Sequence, residues 1–121
     1  MFTAPPDRLS RPALTGSFGM AASTNWVASA VAQSVLERGG NAFDAVVAAG
    51  FVMHVVEPHL NGPGGDLVAL VTPAGGDTMV VNGQGPAPQG ADIAHYRSLG
   101  LEFVPGAGAL ASAVPGAVEA W

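Results

Sequence analysis

The stretch Asn61-Gly62-Pro63-Gly64-Gly65-Asp66 decides how this chain is read. It is entered from an apolar segment through Val55-Val56-Glu57-Pro58-His59 and left at once into another apolar run, Leu67 to Val71. Small or ring-locked residues fill most of it, so its backbone can turn sharply and lie close against another group. The apolar run beyond holds such a loop at the edge of a sheet, where main-chain amides stand beside a ligand or catalytic centre. The loop reads as a site wall. A plain structural turn is the competing reading of the glycines taken alone.

Before the loop, the pattern is helical. Thr24 offers a capping hydroxyl, and Val27, Val31 and Val35, with Ala28 and Leu36, form one stripe at helical spacing. Glu37-Arg38 end it and Gly39-Gly40 supply a left-handed stop. Asn41 caps a second helix, with Asp44 at the capping-box position. From there to Val56 nearly every residue is apolar or small, including Ala45, Ala48, Ala49 and Gly50. A helix apolar all round is expected to be buried on more than one side. Ala49→Leu should therefore overpack it, at about 1–3 kcal/mol. Ser17 to Ser23 reads as a short strand, and residues 1–16 as a flexible Pro-rich leader to one partial domain over 17–121.

After the loop, Asp66 to Thr72 and Thr78 to Asn82 read as strands of a hairpin turning through Pro73-Ala74-Gly75-Gly76-Asp77. Asn82 to Pro88 is too rich in Gly and Pro to continue a central strand. Asp92 to Leu99 reads as a short surface helix, and Pro115-Gly116 opens another after the Gly/Ala-rich run Gly106 to Val114. The elements together are of the α/β (α+β) class.

Composition narrows the function. Of 121 residues 49% are apolar and only 11% charged, under half of the ~25% usual in a soluble domain. So few charges cover a surface poorly, and part of the exterior is expected to lie against more protein. The four Lys+Arg are all Arg and scattered, and the net charge of −5 leaves no electrostatic footprint for nucleic acid. No Cys is present, which excludes disulfides and thiolate chemistry. The longest apolar run, Ala45 to Val56, falls short of the ~20 residues of a membrane span, and no secretory signal is evident. The expectation is a cytoplasmic protein with no nucleic-acid or membrane partner.

Familiar chemistries find little support. His54, His59 and His95 do not make a metal-ligand spacing, so neither a metal site nor a cofactor is expected, and His54 reads as a hydrogen-bonded core or interface residue. No Gly-x-Ser-x-Gly elbow marks an activated serine. Glu57 and Asp66 read as a helix-end acid and a turn residue before they read as an acid–base pair. The glycine loop lacks the Lys-Ser/Thr pair of a phosphate loop, and a strand follows it in place of a helix. A free-standing anion-binding module is thus the weakest of the readings.

Taken in order, several segments resemble the N-terminal part of the gamma-glutamyltransferase (glutathione hydrolase) family. They are Gly19-Met20-Ala21-Ala22-Ser23, Val35 to Ala45, Val55-Val56-Glu57-Pro58, Asn61 to Asp66, and Val114-Pro115-Gly116. The resemblance implies a fragment of an N-terminal nucleophile hydrolase, an αββα sandwich made as a precursor that cuts itself into two subunits. It implies a new N-terminal Thr of the small subunit as nucleophile, transferring or hydrolysing gamma-glutamyl groups of glutathione or related amides. That Thr lies outside this chain, so no catalytic residue is assigned here and the chain alone is expected to be inactive. Its partners would be the rest of the large subunit, the Thr-bearing small subunit and a small gamma-glutamyl substrate.

The resemblance further implies that Asn61, Gly62, Gly64, Gly65 and Asp66 form an active-site loop, with Gln84 and Asn82 toward the substrate. Where well-known members carry a carboxylate-gripping Arg, alignment on Ala87-Pro88 places Gln84, and a second alignment places Pro86. Neither is a cation, so a neutral amide would replace a bidentate ion pair. The alternative keeps the family and discards the enzyme, leaving a non-catalytic binding or structural remnant.

Overall fold

Two asparagines start the two long helices. In the computed structural model, which describes residues 14–121, Asn25 Oδ1 accepts the Val27 N–H at 3.0 Å and opens α1 (Trp26–Glu37). The cap is thus Asn25, one residue after the expected Thr24. Asn25 sits in extended backbone and its side chain reaches the second helical amide, which frees the Thr24 hydroxyl for another partner. Gly39, at φ 88°, ends the turn that follows, as the glycine pair predicts. Asn41 then opens α2 (Ala42–Val56) with a complete capping box: its Oδ1 accepts from Phe43 and Asp44, and Asp44 Oδ2 accepts the Asn41 N–H at 3.0 Å.

α1 and α2 pack on each other, with Ala28 and Ala32 buried on α1 and Ala45 and Met53 on α2. Alanines let the axes approach closely, at the cost of burying little apolar area. The buried stripe on α1 is Ala28/Ala32, while Val27, Val31 and Val35 are only half-buried. The sequence leads one to expect α2 to be buried on more than one side, yet among the described residues much of its apolar surface is open. Phe43, Val46, Phe51 and Val55 stand exposed, the last at 80%, because α1, Trp121 and the segments at Met20–Ala22 and Asn61 reach only part of this helix. Ala49 is likewise half-buried and faces a depression of about 270 Å³, so Leu has room there. The tight spot lies one residue on, at Gly50, where an added Cβ would meet the Trp121 ring at 2.7 Å.

β1 (Val68–Val71) and β2 (Met79–Asn82) form an antiparallel hairpin with Val68 opposite Asn82 and Val71 opposite Met79. Thr72 and Thr78 extend it with a 2.9 Å hydroxyl–hydroxyl bond. Ser17 to Ser23 forms no strand, since β1 and β2 pair only with each other in this two-stranded sheet. α3 (Ile93–Ser98) is capped by Asp92 Oδ1, and a 3₁₀ turn at Ala109–Ala111 leads on to α4 (Ala117–Ala120). No helix among the described residues is long and apolar enough to cross a membrane. Most of the leader expected over residues 1–16 lies outside the described residues.

Candidate functional site

The hairpin register builds the site. Beyond the Val68–Asn82 pair the ladder runs one step further, with Gly83 N–H donating to Leu67 O at 2.7 Å and Leu67 N–H to Gly83 O at 3.3 Å. The next two residues, Asp66 and Gln84, therefore leave the open end of the hairpin side by side. Gln84 Nε2 reaches Asp66 Oδ2 at 3.5 Å, the long limit of a hydrogen bond. A carboxylate only accepts, so this pairing fixes which end of the Gln84 amide faces Asp66 and leaves Oε1 free.

The loop before Asp66 is tied down at each end. Gly65 N–H donates to Gly62 O at 3.1 Å in a tight turn, and Asn61 Nδ2 lies 3.5 Å from Gly50 O of α2. Gly65 O accepts from both Gly116 and Ala117 N–H, each at 3.1 Å. The N-terminus of α4 thus meets the loop with a carbonyl already on it, an arrangement that leaves those two amides nothing to offer an anion.

Gln84 is held from the other side. Asn82 Oδ1 accepts the Gln84 N–H at 3.1 Å, and Val114 N–H donates to Pro86 O at 2.9 Å. Gly85 passes so close to the Val114 carbonyl that a Cβ there would sit inside its oxygen's contact radius. Gly64, Gly65, Asp66, Gln84 and Gly85, with Ser112 to Val114 opposite, enclose an open cavity of about 480 Å³.

Of the residues singled out in the sequence, Gly64, Gly65, Asp66 and Gln84 share this cavity. Asn61 and Gly62 support the loop from behind. Asn82 and Pro86 line an adjoining depression of about 380 Å³ with Pro115 and Glu119. The Ser112–Val114 wall was not singled out as a site. Its signal is the following Pro115-Gly116, since only a residue without a side chain fits where Gly116 crosses Gly83 and Gly85.

Glu57 and Asp66 serve different partners. Glu57 accepts from Thr24 Oγ1 at 2.5 Å and lies 3.5 Å from Asn25 Nδ2, joining the end of α2 to the start of α1. Contrary to expectation, His54 Nε2 is enclosed without a hydrogen-bond partner; the ring stands edge-on to Phe51, centroids 5.3 Å apart. Among the described residues no three of His, Cys, Asp and Glu gather where a metal ion could sit.

A close-packed helix pair beside a glycine-looped hairpin is the mixed helix-and-strand portion of an N-terminal nucleophile hydrolase. The chain belongs to the gamma-glutamyltranspeptidase family, whose pattern matches residues 28–121. It is 38% identical over 104 residues to the oxamate amidohydrolase proenzyme of Klebsiella pneumoniae, covering 85% of this chain and 19% of that protein. It is 36% identical over 111 residues to the glutathione hydrolase-like YwrD proenzyme of Bacillus subtilis, covering 88% of this chain and 20% of that one. Among solved structures, one described as "Structure of LmbA2991T421A" matches at 62% identity and a TM-score of 0.87, over 93% of this chain and 19% of that one. The gamma-glutamyltranspeptidase of Helicobacter pylori matches at 35% and 0.78, over 90% of this chain and 32% of that one. The chain thus spans about a fifth of the length of the curated relatives it matches.

Proposed function

We propose that this chain is the N-terminal part of a self-processing amide hydrolase or acyltransferase and forms one wall of its acyl-binding site. The observation that carries the reading is the meeting of Gly64-Gly65-Asp66 with Gln84-Gly85 around one cavity, in a chain of this family. Relatives named as oxamate amidohydrolase, acylase and glutathione hydrolase have in common an amide bond as the group acted on. In the proposed reaction an N-terminal Thr hydroxyl, outside this chain, adds to the amide carbonyl. Its proton passes through the residue's own amine to the departing nitrogen as the C–N bond breaks. Water, or an acceptor amine, then releases the acyl group and restores the hydroxyl. The chain's own contribution is to shape and orient: the glycine turn gives backbone surface without side chains, and Gln84 faces the bound acyl group. The remainder of the large subunit and the small subunit are the proposed partners, and the cytoplasm the proposed compartment.

The test uses the protein encoded by the uninterrupted reading frame. It is followed on a gel for self-cleavage and assayed with gamma-glutamyl anilide and with simpler amides. Cleavage into two subunits together with amide turnover supports the reading. A protein that neither cuts itself nor turns over any amide overturns it in favour of a non-catalytic family member.

A further inference from the structure

We propose that Asp66 and Gln84 act together as a specificity element that selects an acyl donor presenting an uncharged hydrogen-bond donor, a carboxamide, and disfavours one presenting a carboxylate. This rests on the acyl-site reading above and adds to it which chemical group the wall reads. Gln84 Nε2 turns one of its two N–H groups to Asp66 Oδ2, so the pair keeps two acceptors, Gln84 Oε1 and the second oxygen of Asp66, against one remaining N–H. Among the described residues the only ionisable side chain lining the cavity is Asp66. The two arginines among the described residues are elsewhere: Arg38 donates to Ser34 Oγ at 2.9 Å on α1, and Arg97 lines a separate depression with Glu102.

A carboxylate entering here would meet the like charge of Asp66 with no cation beside it, and only neutral donors, the second Gln84 N–H and the Ser112 hydroxyl, to answer it. A carboxamide would place its NH2 between Oε1 and the free carboxylate oxygen, answering both. The register makes the element rigid as a unit. Asp66 and Gln84 are consecutive to the bonded Leu67–Gly83 pair, and the Asn82 side chain accepts the Gln84 N–H, which ties both backbones to the hairpin.

The experiment is equilibrium titration of the protein from the uninterrupted reading frame with two probes, L-glutamate and L-isoglutamine. They differ only in carboxylate against carboxamide on the α-carbon. Isoglutamine is expected to bind about tenfold or more tightly than glutamate. Asp66→Asn should bring the two toward parity, and Gln84→Arg should reverse the order, with thermal unfolding confirming that each variant is folded. Equal or tighter binding of glutamate by the unaltered protein overturns the proposal, as does failure of isoglutamine to bind. Variants that keep the unaltered ratio overturn it too. Because binding is read without turnover, an inactive protein that still prefers isoglutamine removes the hydrolase reading and supports this one. An active protein that prefers glutamate does the reverse.

Discussion

Thr24 Oγ1 donates to Glu57 Oε2 at 2.5 Å, and through this bond the residue just before α1 holds the residue just after α2. The two helices run antiparallel, so the contact closes the open end of their hairpin opposite the Gly39-Gly40 turn. A hydroxyl bonded to a carboxylate contributes more than a neutral pair, though the exposure of Thr24 lowers its worth. Thr24→Val should lower stability by about 1 kcal/mol, and adding Glu57→Gln to it should cost little more. Urea unfolding of the two single variants and the double variant checks this. Fully additive losses would mean that the bond is not made in solution.

At the other end, the Asn41–Asp44 capping box satisfies N–H groups that would otherwise lack partners. Asn41→Ala should cost about 1 kcal/mol and Asn41→Ser nearly nothing, read as a shift in the urea midpoint with unchanged slope.

Gly85 has no room for a side chain against the Val114 carbonyl. Backbone cannot yield as a side-chain tip does, so Gly85→Ala should cost at least ~3 kcal/mol, the upper end of ordinary overpacking. It should also weaken substrate binding far more than Gly90→Ala, since Gly90 has open space around it. Thermal unfolding and KM of the two variants, compared side by side, give the check.

Overpacking of α2 should appear at position 50 and not at 49. Gly50→Leu collides with the Trp121 ring and should cost about 1–3 kcal/mol, while Ala49→Leu, facing a depression, should be within about 0.5 kcal/mol of neutral. The reverse ranking in thermal unfolding would place the close contact on the other face of the helix.

Local chemistry was legible in the sequence. The Asn41 box, the Gly39 stop, the hairpin and the Asp92-capped helix each depend on residues within a few positions of one another, and each stands where the spacing put it. Thr24 was misread as a cap because its true partner, Glu57, lies 33 residues away, beyond anything local spacing reports. The burial of α2 was over-read for a related reason. An all-apolar sequence says that a helix will be covered, not which chain segments do the covering. The side-by-side placement of Asp66 and Gln84 was within reach, because a hairpin register fixed at Val68–Asn82 dictates it two steps on. The wall at Ser112–Val114 was not, since nothing in that run by itself says which strand end it will cross.

The double acceptance by Gly65 O of the Gly116 and Ala117 amides has a kinetic consequence. The helix pair and the β-hairpin are both nearest-neighbour structures and can form early, but this carbonyl waits for a segment far along the chain. Loop-closure entropy must be overcome before that contact gives anything back. The cavity is therefore expected to be the last part to assemble during folding and the first to open when the native state fluctuates, while the helices behind it remain intact.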